Sequence, residues 1–255
     1  MLTAAQITQY HRDGYLVPDF RMPDTMLDAI TSRHDALLVR HPEFRDYCPM
    51  LLDYDMGFVD YCDHPEILAM VRQLIGPDVA LWNTSFFAKP AGDGKRTPWH
   101  QDGEYWPIRP LATCTAWLAL DDSTPENGCL RVIRGSHAAR PLRAHHDNDS
   151  ADVTLNKELD PSEYDEREAV DIVLRRGQIS LHDVYLLHGS EANASPRPRR
   201  GMTMRYMPTT SVFDRELARE MSIRMGITDH SGRQVFLMSG IDRSGRNTFH
   251  ARAAR

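Results

Sequence analysis

In the first third of the chain apolar side chains recur at roughly helical spacing, and after Gly76 they begin to alternate with polar ones, as in a strand. Residues 3–13 read as a short helix with Thr3 as N-cap and Gly14 just past its end. Tyr15-Leu16-Val17 follows as a first strand, stopped by Pro18. Residues 23–38 predict a second helix whose apolar face carries Met26, Ile30 and Leu37. Residues 65–75 predict a third, with Pro65 suited to its first turn and Gly76 to a left-handed C-terminal cap.

Strands are then expected at 79–89, 113–120, 129–133, 170–174, 178–182 and 202–207, and a last helix near 215–225. Asn127-Gly128 and Arg176-Gly177 supply turns between them. Helices first and many short strands afterwards predict a mainly β barrel or sandwich with flanking α, buttressed by N-terminal helices. Residues 138–168 break the pattern. They are polar and acidic, include His145-His146-Asp147-Asn148-Asp149, and read as a lid or insertion loop within one domain spanning 1–255.

Composition narrows the function class. A chain of 255 residues can build a core that needs no disulfide or structural metal to fold. Thirty Lys+Arg against 36 Asp+Glu leave a net charge of −6, which argues against bulk nucleic-acid binding. No basic segment followed by an apolar core opens the chain, and no apolar run approaches the roughly 18 residues of a membrane span. Cys48, Cys62, Cys114 and Cys129 form no C-x-x-C pair, so four reduced thiols in a cytoplasmic protein are expected.

The strongest chemical signal is His100-Gln101-Asp102. In extended backbone, residues two apart point to the same side, so an imidazole and a carboxylate would converge as a divalent metal requires. His188, closing the strand-like run Val184-Tyr185-Leu186-Leu187, is the best third ligand. Two histidines and a carboxylate on one face leave the opposite positions open, the arrangement of non-haem Fe(II) oxygenases. Eleven residues later, Arg199 opens the strand leading to Met207 and could hold a dicarboxylate's distal carboxylate in a bidentate fork. From composition alone, Pro196-Arg197-Pro198-Arg199-Arg200 reads as a solvated basic turn.

Pro98-Trp99-His100-Gln101-Asp102, Ala116-Trp117, Glu126-Asn127-Gly128-Cys129-Leu130, Gly135-Ser136-His137, His188-Gly189-Ser190 and Arg199 together resemble the phytanoyl-CoA dioxygenase family. The resemblance covers about residues 15–208. It implies a double-stranded β-helix (jelly-roll) core and an Fe(II)- and 2-oxoglutarate-dependent oxygenase. His100, Asp102 and His188 would be the iron ligands, and Arg199 the partner of the 2-oxoglutarate C5 carboxylate. Ser190 matches a hydroxyl supporting that carboxylate, Trp117 an aromatic wall of the co-substrate pocket, and Ser85 a further co-substrate contact. Trp117 serves equally well as plain core packing. Related halogenases replace the carboxylate ligand with Gly or Ala; since Asp102 is present, O2-dependent hydroxylation releasing succinate and CO2 is the implied outcome.

Other histidines have plainer readings. His137 is expected to be structural, His182 to stand behind the metal ligands or in the core, and His145-His146 to lie in a solvated loop. Tyr47, Asp53, Tyr54, Asp55 and Phe58 could wall the entrance, with Glu104, Tyr105, Trp106 and Arg109 approaching the pocket. Aromatic walls with a few charges suit a small or medium organic substrate, and no clear basic site for the phosphates of an acyl-CoA is evident. Two competing classes are a Zn- or other metal-dependent hydrolase or isomerase on a similar barrel, and a non-catalytic ligand-binding barrel. The spacing of Ser190 and Arg199 speaks against the first; the intact ligand set speaks against the second.

Overall fold

The computed structural model describes residues 1–251. Four helices open the chain: α1 (Ala4–Asp13), α2 (Asp24–Arg40), α3 (Leu51–Tyr54) and α4 (Pro65–Ile75); α5 (Arg215–Met225) lies near its end. Local chemistry explains their bounds. Thr3 caps α1 by accepting from the Gln6 amide, while the Gln6 side chain returns the bond to Thr3. Gly14 closes that helix at φ 82°, a left-handed conformation that costs other L-residues more than glycine. Asp214 caps α5 through the Leu217 amide.

The strands of the described residues, in chain order, are β1 (Tyr15–Leu16), β2 (Tyr47–Cys48), β3 (Val79–Lys89), β4 (Thr97–His100), β5 (Ile108–Arg109), β6 (Cys114–Ala119), β7 (Leu130–Ile133), β8 (His145–Asp147), β9 (Lys157–Leu159), β10 (Ala169–Ile172), β11 (Ile179–Asp183), β12 (His188–Ser190), β13 (Arg199–Pro208), β14 (Val212–Phe213) and β15 (Phe236–Ser239). The larger sheet is ordered β1-β11-β6-β13-β3-β15, with β2 also paired to β3; the smaller is β10-β7-β12-β4. Both are antiparallel throughout. They form the double-stranded β-helix.

The larger sheet has two chemically different faces, because successive side chains on a strand point opposite ways. Cys114, Ala116, Leu118, Met202, Met204 and Tyr206 join one apolar cluster with Leu27, Ile30, Leu37, Ile67 and Val71 of α2 and α4. The intervening Thr115, Trp117, Arg199, Thr203 and Arg205 line the barrel interior. A buried sheet face that is polar needs partners inside the barrel. That face positions the site.

One expectation is corrected. Residues 184–187 do not form a strand: Val184 and Tyr185 make a turn, and β12 starts at His188. Apolar runs of four cannot distinguish a buried turn from a strand by pattern alone. Within residues 138–168, β8 and β9 pair as a hairpin with His146 opposite Glu158. Strand β15 was not anticipated in the mixed segment from residue 213 onward; the arginines 252 and 255 of its tail lie outside the described residues.

Candidate active site

His100 ends β4 and His188 begins β12, and the two are direct cross-strand partners in the smaller sheet. Asp102 follows in the short 3-10 turn after β4. One ligand atom from each of the three falls within 4.8 Å of the others. Asp102 Oδ1 lies 3.8 Å from His100 Nε2 and 4.0 Å from His188 Nε2.

Hydrogen bonds behind the rings decide what faces inward. His100 Nδ1 lies 2.8 Å from the Pro98 carbonyl, and His188 Nδ1 2.9 Å from the Leu186 carbonyl. A carbonyl only accepts, so each Nδ1 carries the proton and each Nε2 offers a lone pair. Burial, then the neighbouring His100, push the His188 imidazolium well below the ordinary histidine range, which keeps the ring neutral. Burial alone would raise the Asp102 carboxyl; the polar surroundings made by His100 and His182, at 3.8 and 3.5 Å, and the positive charge of Arg205 hold it well below the usual range. Two imidazoles and one carboxylate fit a divalent first-row metal such as iron.

His182, on β11, approaches the other carboxylate oxygen, Asp102 Oδ2, at 3.5 Å. The turn at 184–185 interrupts the strand between His182 and His188, yet both reach the same carboxylate. His182 thus stands behind the ligand set, as the sequence suggests.

The chamber next to these donors is closed by Arg199, only 2% exposed. Its Nε and NH2 donate to the Gly128 carbonyl at 3.0 and 2.9 Å, NH1 to the Phe87 carbonyl at 3.2 Å, and NH2 reaches Ser190 Oγ at 3.4 Å. Among the described residues no carboxylate forms an ion pair with it. Burial pushes the guanidinium down to about 10, far from losing its proton at neutral pH. A buried cation served only by carbonyls and a hydroxyl is suited to receive an anion. Arg199 is therefore not part of a solvated basic turn; Pro196-Arg197-Pro198 is the exposed part of that run, and half-buried Arg200 pairs with Asp121 and Asp35. Lys89, opposite Arg199 in the β3–β13 register, is buried too, and its Nζ donates to the Lys95 carbonyl.

Trp117 lines the same chamber, with the Arg199 guanidinium 5.4 Å from its ring. Gly201 makes room for it: a Cβ there would sit 1.9 Å from Trp117 Cζ2. Ser85 faces the same way but one step back, its hydroxyl 2.6 Å from that of Thr203, which does line the chamber.

A second cavity of about 520 Å³ opens beyond Asp102. Tyr47, Tyr105 and Trp106 wall it as expected. Phe58 instead packs edge-on against Phe86 in the helical core, Asp55 pairs with Arg33, and Tyr54 meets Phe44 edge-on. Arg109 is exposed and turns back to the carbonyls of Trp106 and Ile108. Glu104 and Asp53 do not line the cavity.

Gln101 escaped the sequence reading. Fully buried, it donates through Nε2 to the Pro141 and Tyr185 carbonyls at 3.0 and 2.8 Å and accepts from the Arg143 amide at 2.7 Å. Its own amide donates to His145 Nε2 at 3.2 Å. His145 is thus drawn against the ligand segment rather than solvated, while exposed His146 pairs with Asp160. His137 is structural as expected, accepted at Nε2 by the His11 carbonyl at 3.1 Å.

Residues 10–201 match the family model described as Phytanoyl-CoA dioxygenase (PhyH). The chain is 34% identical over 236 residues to "Phytanoyl-CoA dioxygenase, peroxisomal" of Homo sapiens, covering 81% of this chain and 68% of that one. Among solved structures it resembles the apo form of the non-heme monooxygenase ThoJ, with a TM-score of 0.74 at 24% identity over 97% of this chain and 88% of that one. It also resembles the epimerase SnoN in complex with Fe3+, alpha ketoglutarate and nogalamycin RO, with a TM-score of 0.65 at 24% identity over 82% and 84%.

Proposed function

Since the chain belongs to the phytanoyl-CoA dioxygenase family, we propose that it is an Fe(II)- and 2-oxoglutarate-dependent dioxygenase that hydroxylates an unactivated C–H bond of a small organic substrate. The observation that carries this reading is one chamber with His100, Asp102 and His188 at one side and the unpaired Arg199 at the other. In the balanced reaction, substrate R–H, O2 and 2-oxoglutarate give R–OH, succinate and CO2. When bound, the metal supplies the O2 activation that no side chain can provide.

The chain's own residues do the positioning. His100 and His188 present Nε2 because Nδ1–H of each is committed to a carbonyl, and Asp102 adds the anionic ligand. Arg199, helped by Ser190 Oγ, would grip the distal carboxylate of 2-oxoglutarate, and the Trp117 ring would flank its carbon chain. Ser85 acts through Thr203, orienting a hydroxyl that borders the same chamber. The substrate would enter the 520 Å³ cavity, where Asp102 is shared with the metal chamber. The 138–168 segment, tied down by Gln101, would cover the ligand segment as a lid.

Asp102 favours hydroxylation over halogenation, because it fills the coordination position a halide would need. The test is an anaerobic visible titration of Fe(II)-loaded protein with 2-oxoglutarate, followed by succinate and product mass after O2 is admitted. A weak metal-to-ligand charge-transfer band, succinate formation and products heavier by one oxygen are expected. No band from protein that holds iron would overturn the reading in favour of a metal-dependent hydrolase or isomerase; succinate with products of unchanged mass would overturn hydroxylation alone.

A further inference from the structure

The 520 Å³ cavity holds two arginines that the proposed reaction leaves without a task. Arg205, on β13, is 4% exposed, and its guanidinium lies 5.0 Å from the Trp106 ring and 5.8 Å from Phe87. Arg233, between α5 and β15, lies 5.2 Å from the Trp82 ring. Both line the cavity, and Nε of each is buried with no hydrogen-bond partner. Among the described residues neither side chain forms an ion pair or hydrogen bond.

The acidic groups nearby do not change this. Asp102 faces three imidazoles and acts on Arg205 through space without forming an ion pair with it, Asp149 is exposed at the rim, and Asp53 acts on Arg233 only at longer range. Burial, and then the charge of Arg205, depress the Arg233 guanidinium to about 10, so it stays cationic at neutral pH and the two guanidiniums repel one another. One buried and one half-buried like charge sharing a cavity are costly unless an anion joins them. Each has an aromatic ring near its guanidinium, an arrangement that leaves N–H edges for a planar oxyanion.

We propose that Arg205 and Arg233 form the anion-recognition site of the primary substrate, which is therefore an organic acid whose carboxylate joins the two guanidiniums. The remaining wall sets Tyr47, Trp82, Trp106 and Ile227 beside Asn83 and Asn156, so the body of that acid is largely apolar or aromatic with room for a few polar groups. With its carboxylate held at Arg205, which borders both chambers, the adjoining carbons lie toward Asp102 and the metal donors. This assignment deepens the oxygenase reading and rests on it for the chemistry, but not for the binding.

The test is an anaerobic titration followed by tryptophan fluorescence, since Trp82 and Trp106 lie against the two guanidiniums. The probes are 3-phenylpropanoate, indole-3-propanoate and octanoate, each beside its primary amide, with and without Fe(II) and 2-oxoglutarate. At least one acid is expected to bind roughly tenfold to a hundredfold tighter than its amide, the range of a charge-assisted pair. Arg233→Gln should bring that ratio close to one, and Arg233→Lys should restore part of it. Equal affinity for acids and amides, no binding of any probe at millimolar concentration, or an unchanged ratio in Arg233→Gln would overturn the proposal. So would a loss of 2-oxoglutarate affinity in Arg233→Gln matching the loss of acid binding, which would give the pair to the co-substrate. An acid preference without any 2-oxoglutarate band would sink the oxygenase reading and leave the anion site standing.

Discussion

An arginine sealed into a barrel is expensive when its charge meets no opposite charge, and Arg199 is held there by three backbone-carbonyl contacts and one hydroxyl. Those bonds fix the plane of the guanidinium before any ligand arrives, which reduces the entropy lost on binding. Arg199→Ala should therefore weaken 2-oxoglutarate by roughly a hundredfold, as expected for losing a charged hydrogen-bonded contact, while iron binding persists. Asp102→Ala should instead lose iron, because it deletes one of three protein donors. Iron stoichiometry beside the anaerobic charge-transfer titration separates the two; equal iron loss would make Arg199 structural. At this scale the sequence was legible where residue type and spacing carry the chemistry, as at His100 and Asp102. It misled where burial decides, since a run of arginines does not say which one turns inward. His145 was obscured in the same way: only the Gln101 amide distinguishes it from exposed His146.

Gln101 connects elements rather than residues. Its side chain joins the end of β4 to the 141–143 segment and to the turn before β12, three pieces of backbone far apart in sequence. Gln101→Leu keeps the approximate volume but strands two carbonyls and an amide, at about 1–3 kcal/mol for each group left buried and unpaired. The expected result is faster amide hydrogen exchange across 138–146 ahead of global unfolding; unchanged exchange there would show that the β8–β9 hairpin holds the segment without help. Gly201→Ala acts on the sheet face. With Trp117 Cζ2 1.9 Å from the new Cβ, the indole must leave its place beside Arg199, so 2-oxoglutarate affinity and thermal stability should fall together. Helices and long strands were readable because caps, glycines and alternation are local signals. The two-residue strands β1, β2, β5 and β14 owe most of their existence to partners distant in sequence, and of these only β1 was anticipated.

Across the whole molecule, the N-terminal helices seal the outer face of the larger sheet, and one titratable group is trapped in the seam. His34 of α2 is fully buried, stacked on Phe86 of β3 with ring centroids 3.9 Å apart, and neither ring nitrogen has a hydrogen-bond partner. Burial, reinforced by the charge of Arg200, lowers its pKa from 6.5 to about 4. The unfolded chain therefore takes up a proton at this residue near pH 6.5, whereas the folded chain resists until near pH 4. Between those values the unfolded state binds more protons, so stability is full above pH 6.5 and falls as the pH drops toward 4. Linkage puts the loss at roughly 2 kcal/mol by pH 5 and about 3 kcal/mol below pH 4. His34→Leu fills similar space without a proton site and removes two unpaired ring nitrogens. Urea unfolding at pH 7.5 and pH 5 should show the native protein losing about 2 kcal/mol more than the variant between the two conditions. An equal loss in both would mean that the seam opens on acidification for some other reason, and that His34 is not the group that links the helical layer to pH.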